Sequence, residues 1–407
     1  MRFDIGVIGG GPAGYTAAMM FASKGKSVVL FEKDKLGGTC LNRGCIPTKS
    51  LLHSSEVYKN AHELATFGID AEIKSFDFSK IAEKRDKTVE KIRKNLELAV
   101  KNSGVTVVYS EAECVNNKIL ANNEEYEVEK IIIAVGAKPR ELKGLEFDGE
   151  FILSSDDVLK LNALPKSVLI VGSGAIGIEW ARIFSNFGVE VSIVEKAEHL
   201  IPLADIDVSK RIERIFKQKK IKFYLNDFVE NISDKKVSLA SGTLVEPDFI
   251  LSAVGRVPLE LPNTDCEIIG DASNEIQLAH YAVHQAKKLA LDIEYKKDLI
   301  PAVIYGEPEI AWVGLREQDC GDDCKAVSFP ITTLGKSWCD DSTEGFIKLI
   351  VKDSAVVGSH IVSKEASALI HQVLIAMQNN VTVEKLKEVC FAHPTYSEGI
   401  FETLMRI

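Results

Sequence analysis

One pattern occurs twice in this chain, and it constrains the fold more than any other feature. Residues 5–32 and 168–195 each run from an apolar strand through a glycine-rich turn and a helix to a second apolar strand and an acidic residue. The first turn is Gly9-Gly10-Gly11-Pro12-Ala13-Gly14, and its second strand, Ser27 to Phe31, ends at Glu32. The second turn is Gly172-Ser173-Gly174-Ala175-Ile176-Gly177, and Val191 to Val194 ends at Glu195. In both copies the acid follows the first glycine by 23 residues. Such a turn aims backbone N–H groups and a helix N-terminus at a pyrophosphate, and the later acid accepts hydrogen bonds from a ribose. One copy alone carries little weight. Two copies, each between strand and helix, predict two Rossmann-like dinucleotide sites in an α/β chain.

Glu195 bears on which nicotinamide is used. A carboxylate there bonds a free 2′-hydroxyl and repels a 2′-phosphate, and Lys196 is followed by Ala197 and Glu198 rather than by a basic cluster, so NAD is favoured over NADP. At 407 residues the chain exceeds one ordinary core and should divide into two or three domains. A net charge of −10 argues against nucleic acid as a partner. The basic residues Lys84, Arg85, Lys87, Lys91, Arg93 and Lys94 alternate with glutamates and with a stripe of Ile81, Val89, Ile92 and Leu96, which reads as the solvated face of an amphipathic helix. No apolar run is long enough for a bilayer span, and the N-terminal apolar run breaks at once into glycines, so neither a membrane segment nor a signal peptide is expected. After Pro301 the order changes. Strands at Phe346–Val351 and Val356–Val362 precede helices at Ala366–Gln378 and Val383–Val389, which predicts a separate α+β unit.

Eight scattered cysteines without a secretion signal suggest a reducing, cytoplasmic setting, where a close pair is catalytic or metal-binding more often than structural. Cys40 and Cys45 are such a pair, in Gly37-Gly38-Thr39-Cys40-Leu41-Asn42-Arg43-Gly44-Cys45-Ile46-Pro47-Thr48-Lys49. Four intervening residues allow a bridge across about one helical turn, Pro47 suits a first helical turn, and a thiolate there gains from the helix dipole. Half of a zinc site, or two core cysteines, are the other readings. Cys320 and Cys324, in an acidic turn, are the remaining close pair and read as a loop. Near the C-terminus, Ala392-His393-Pro394-Thr395-Tyr396-Ser397-Glu398 sets an imidazole five residues before a carboxylate, which reads either as a base for a thiol or as a structural histidine ahead of a glutamate that begins the last helix.

The Cys40–Lys49 segment, just after a dinucleotide fold, resembles the class I pyridine nucleotide-disulfide oxidoreductases. Its Leu-Asn-x-Gly-Cys-Ile-Pro-Thr-Lys wording is most similar to members that oxidise dihydrolipoamide with NAD+. Ile131 to Arg140 is similar to that family's link between flavin and nicotinamide regions, and Val254-Gly255-Arg256-Val257-Pro258 to its return crossover. Ile269-Gly270-Asp271 resembles the second FAD fingerprint, Leu278-Ala279-His280 the flavin-ring contact, and Tyr305 to Gly314 the start of the dimerisation domain.

The resemblance implies a discontinuous FAD-binding domain (1–140 and 256–297), an NAD-binding domain (141–255) and a dimerisation domain (298–407). It implies a redox-active Cys40–Cys45 disulfide, a His393–Glu398 dyad supplied by the second subunit of a homodimer, a cis peptide at His393–Pro394, and Lys49 paired with Glu179 beside the flavin. FAD would touch Gly9, Gly11, Pro12, Ala13, Gly14, Glu32, Lys33, Gly38, Thr39, Lys49, Ala112, Val135, Gly136, Asp271 and Ala279. NAD would touch Gly172, Gly174, Ile176, Gly177, Glu195, Val229 and Gly255. No metal is expected. A lipoyl group of a multienzyme complex is the implied partner.

The chain departs from the family in places. The stretch between Arg256 and Asp271 is short, Val135 replaces a usual Thr or Ser, Arg43 replaces an aliphatic residue, and Ala175 offers no tyrosine to gate the nicotinamide. Two alternatives compete with a dihydrolipoamide substrate. One is a glutathione-reductase-like activity, which would need NADP-selecting arginines; the other is a flavoprotein that binds partners according to redox state without turnover.

Overall fold

The structure, a computed structural model, describes residues 2–115, 118–261 and 266–407; Met1, Asn116, Asn117 and residues 262–265 lie outside the description. The first unit begins with β1 (Arg2–Ile8), α1 (Pro12–Ser23) and β2 (Val28–Glu32). Helices α2 (Gly38–Arg43), α3 (Cys45–His62) and α4 (Phe78–Asn102) follow, then β3 (Thr106–Tyr109), β4 (Ala112–Val115), β5 (Lys118–Ala121) and β6 (Glu124–Ile133). Strand order is β3-β2-β1-β6-β5-β4, parallel over its first four strands. All five residues of β2 are buried. A strand covered on both faces reads as an unbroken apolar run, and each such side chain stabilises by roughly 1.5–3 kcal/mol.

The second unit uses β7 (Ala137–Pro139), β8 (Ile152–Leu153), β9 (Ser167–Val171), α5 (Ala175–Asn186), β10 (Glu190–Glu195), α6 (Ile206–Gln218) and β11 (Lys222–Leu225). A small antiparallel sheet of β12 (Val229–Ser233), β13 (Lys236–Leu239) and β14 (Leu244–Val245) precedes β15 (Phe249–Ser252). The parallel order is β11-β10-β9-β15-β8. Helix α5 is buried continuously from Gly177 to Phe184, because it lies between α3, its own sheet and the third unit.

The chain then crosses back. Strand β16 (Arg256–Pro258) pairs antiparallel with β7, and β17 (Glu267–Ile268) rejoins the first sheet beside β6, followed by α7 (Ala279–Leu291) against α1. The third unit is an antiparallel sheet of β18 (Ala302–Ile304), β19 (Glu309–Gly314), β20 (Lys325–Pro330), β21 (Phe346–Lys352) and β22 (Ala355–Ser363), in the order β18-β19-β22-β21-β20. It is covered by α8 (Gly335–Cys339), α9 (Ala366–Gln378), α10 (Val383–Lys387) and α11 (Glu398–Leu404). The fold is therefore two mixed α/β, Rossmann-like regions and an antiparallel-sheet domain. No helix among the described residues is long and apolar enough to cross a membrane.

One expectation about α4 fails. Arg85 does not lie on a solvated face: it is buried, its Nη1 donating to the Leu159 carbonyl at 2.5 Å and its Nε to Asp86 at 2.8 Å. It stands one turn before buried Val89 and so shares the covered side of the helix. Ile92, placed on the apolar stripe, is 39% exposed.

Candidate functional site

Cys40 and Cys45 form a disulfide, with their Cα atoms 4.7 Å apart. A continuous helix would advance about 7.5 Å along its axis over five residues, so the bridge requires a break. Gly44 supplies it, with φ −144° and ψ −108° between α2 and α3. A Cβ there would meet the Thr39 carbonyl oxygen at 3.0 Å and Cys40 Cα at 3.3 Å. The bridge across a helical turn expected from spacing is thus a bridge across a helix junction. Cys45 becomes the first residue of the 18-residue α3, where unsatisfied N–H groups favour a thiolate.

Lys49 follows Cys45 by one turn on the same face of α3. Its Nζ lies 2.8 Å from Glu179 Oε2 on α5 and 4.8 Å from the centre of the Tyr305 ring. The other Glu179 oxygen accepts the Tyr305 backbone N–H at 3.1 Å, while the Tyr305 carbonyl accepts Arg182 Nη1 at 2.7 Å. Glu179 is 4% exposed and Arg182 1%. A buried carboxylate needs both of these donors, because an unpaired one costs several kcal/mol.

The two glycine turns have nearly the same backbone. Gly9 has φ +103° and Gly172 φ +98°, values that L side chains rarely adopt. Cβ atoms on Gly14 and Gly177 would collide with the carbonyl oxygens of Gly9 and Gly172, so helix and strand pack closely only because both are glycine. Between them, Gly11 and Gly174 leave room: a Cβ on Gly11 would meet only Gly38 Cα, at 3.8 Å, and one on Gly174 would meet no described atom within 4 Å. That is the space a pyrophosphate needs, and the residues present fit a dinucleotide at each turn. The acids close the turns from below. Glu32 accepts the Gly10 N–H and Glu195 the Ser173 N–H, both at 2.8 Å.

Other expected residues fall around the first turn. Gly38 packs on Gly11, Thr39 follows it in α2, Pro12 and Ala13 open α1, and Gly270 abuts Ala13. Asp271 is half-buried; burial pushes its carboxyl up and Arg256 opposes that. Gly136 (φ +82°) follows Val135 after β6, and Ala279 opens α7. Lys33, next to Glu32, is exposed and paired with Glu111 at 3.1 Å; Ala112 starts β4. Around the second turn, Ile176 is half-buried on α5, Val229 begins β12 and Gly255 (φ +94°) follows β15.

His393 Nδ1 lies 2.8 Å from Glu398 Oε1, and Glu398 Oε2 accepts the Thr395 N–H at 2.8 Å. Burial pushes the Glu398 carboxyl up, but the Thr395 N–H and His393 outweigh it and hold it below the usual carboxylate range. The His393–Pro394 peptide is cis, and the His393 side chain is 76% exposed, facing away from the chain's own body. Cys320 and Cys324 sit in the turn before β20, where burial and Cys324 push the Cys320 thiol up to about 11.

Some groupings had no sign in the sequence. Arg182 and Tyr305 are one: nothing in spacing links residues this far apart. Asp156, bound by both Arg43 (3.5 Å) and Arg256 (3.3 Å), borders a cavity of about 500 Å³ behind α2 and α3. Cys114 and Cys266 bring their sulfurs to 3.1 Å across the crossover. Asp205, Asp207 and Glu317 converge within ligand distance of one another, but all three hold the buried Lys348 ammonium.

A cysteine disulfide beside a half-buried Lys49 paired with a buried Glu179, between two dinucleotide cradles, defines a flavoprotein disulfide oxidoreductase. Residues 3–281 match the pyridine nucleotide-disulphide oxidoreductase family and residues 300–404 its dimerisation domain, and the chain belongs to that family. The dimerisation domain supports a homodimer. The chain is 31% identical to a dihydrolipoyl dehydrogenase of Bacillus subtilis, over 99% of this chain and 98% of the relative. It is 32% identical to a leghemoglobin reductase of Vigna unguiculata, over 99% of this chain and 87% of that one. Crystallised LpdA of Mycobacterium tuberculosis has the same fold, with a TM-score of 0.91, 24% identity, and coverage of 100% of this chain and 99% of the other.

Proposed function

We propose that this chain is a dihydrolipoamide dehydrogenase, oxidising a dihydrolipoyl dithiol and reducing NAD+. The observation that carries the reading is the Cys40–Cys45 disulfide at the start of α3, one turn from a Lys49 held by Glu179. FAD is assigned to the first turn and its surroundings (1–140 and 256–297), NAD to the second (141–255), and the subunit interface to 298–407, in a cytoplasmic homodimer. Glu195, free of neighbouring arginines, supports NAD. The proposed partner is the lipoyl group of a multienzyme complex.

The residues divide the work as follows. His393 of one subunit, oriented by Glu398, takes the proton from a substrate thiol in the other subunit's site. The resulting thiolate attacks Cys40 Sγ; the Cys40–Cys45 bond breaks and Cys45 leaves as a thiolate, stabilised by the start of α3 and by Lys49. The second substrate thiol then attacks the substrate sulfur of the mixed disulfide, its proton passing to the departing Cys40 sulfur. Lipoyl disulfide departs and Cys40 is released as a thiol. The chain now carries the electron pair as the Cys40 thiol and the Cys45 thiolate, with one proton on His393. FAD supplies the two-electron relay by which that pair reaches NAD+ as hydride.

Cys45→Ser is expected to abolish dihydrolipoamide-dependent NADH formation while the protein stays yellow; near-normal turnover would refute the pathway. Comparing dihydrolipoamide, glutathione disulfide and coenzyme A disulfide, each with NAD(H) and NADP(H), tests the substrate. Preference for glutathione disulfide with NADPH would sink this assignment.

A further inference from the structure

Helix α5 buries two charges three residues apart, Glu179 and Arg182, in an otherwise apolar and fully covered stretch. Glu179 has an evident task with Lys49. Arg182 touches neither Lys49 nor the disulfide, and it is expensive: burial pulls its guanidinium down to about 10 against the opposing pull of Glu179, Glu56, Glu309 and Glu307. Its Nη2 finds no hydrogen-bond partner among the described residues. Replacing such a group by an apolar side chain of like size is often neutral or favourable for stability. Stability alone therefore does not account for it.

The local backbone is built around this side chain. Gly306 has φ +126°, and a Cβ there would lie 2.6 Å from Arg182 Cδ and 2.7 Å from Nη1, so the guanidinium occupies the volume a side chain would take. From that seat it grips the Tyr305 carbonyl at 2.7 Å. The Tyr305 N–H in turn holds Glu179 Oε1 at 3.1 Å, and Glu179 Oε2 holds Lys49 at 2.8 Å, under the Tyr305 ring. One rigid residue thus stands between two buried charges. Arg182 fixes its carbonyl, its N–H fixes the carboxylate, and the carboxylate fixes the ammonium one turn from Cys45.

We propose that Arg182 is a positioning residue for the redox centre, setting the Lys49–Glu179 pair through the backbone of Tyr305. This rests on the assignment of Lys49 and Cys45 to the flavin made above. A purely structural arginine would change unfolding temperature and leave the centre's optical signature alone. A positioning arginine changes the signature.

The test reads the long-wavelength absorbance of a thiolate beside the flavin in the NADH-reduced, flavin-loaded homodimer, together with kcat, KM and thermal unfolding. Arg182→Met is expected to weaken that band and lower kcat about tenfold, with the dithiol KM changed less than about twofold. Arg182→Lys, which keeps a charge but replaces the planar fork by one ammonium, is expected to weaken the band to a lesser degree. Combining Arg182→Met with Glu179→Gln should lose no more than Glu179→Gln alone, because both act on one pair. A parental band and kcat in either Arg182 variant, or additive losses in the double variant, would overturn the proposal. If Arg182→Met fails to load flavin, the Lys variant decides it. A parental protein that forms no such band would sink the functional reading itself, and this inference with it.

Discussion

The two glycine turns share a backbone and differ in what surrounds them. The first has more around it: Leu36 packs on Gly10, Gly38 borders Gly11, and Gly270 returns from a distant part of the chain to sit against Ala13. The second is more open at one matching place: Gly174 has no described neighbour within 4 Å of where a Cβ would stand, whereas a Cβ on Gly11 would face Gly38 Cα at 3.8 Å. The shared geometry sets what kind of ligand each turn can hold, and the surroundings are where the two differ.

The sharpest way to break this comparison is to spoil the same position in both turns. Gly14→Ala and Gly177→Ala each force a Cβ into the carbonyl of the turn's first glycine. Each is expected to cost more than about 3 kcal/mol in its own unit, the scale of severe core strain. Gly14→Ala should yield colourless protein, whereas Gly177→Ala should stay yellow yet resist reduction by NADH. Loss of colour in both, measured as flavin per chain, would show that the turns are not separable.

A smaller change sharpens it. Glu195→Ala removes the acceptor for the Ser173 N–H and, on the NAD reading, the ribose contact. It is expected to raise the KM for NADH about tenfold and leave that for NADPH unchanged or lower, since a bidentate contact of this kind contributes roughly 1–2 kcal/mol. Equal losses with both nucleotides would place the nicotinamide elsewhere.

The smallest effect concerns what steadies the second turn's unit. Lys348 in the third unit binds Asp205 at the start of α6 at 2.8 Å. Burial pushes the Asp205 carboxyl up, but Lys348 and backbone N–H groups outweigh it, and the net shift is downward from 3.8. A depressed carboxylate contributes stability that is complete above its unfolded value and is lost as pH falls through the folded one. The urea midpoint should therefore hold from neutral pH to about 4 and fall below that, and less so in Asp205→Asn. A midpoint that declines between pH 7 and 5 would point to another group.

Much of this molecule is legible in one dimension. Strands, turns and acids within each βαβ unit lie close in sequence, so their periodicity and spacing carry the fold directly, and α9 runs where the pattern put it, Ala366–Gln378. The α10 helix stops at Lys387, two residues short of the expected end, because helix termini depend on caps more than on pattern. Arg85 was misplaced for a related reason. Charge suggests solvent, but its partner is the carbonyl of Leu159, seventy-four residues away.

By itself the sequence determined the two nucleotide cradles, the reactive cysteine pair and the order of the three units, because each depends on contacts among near neighbours. Only the tertiary structure decided that Gly44 breaks the helix to let the sulfurs meet, that Gly270 returns to the first turn, and that Arg182 reaches Lys49 through Tyr305 and Glu179. The last two join segments separated by more than a hundred residues, and the burial that gives a charge its partner exists only once those segments have packed.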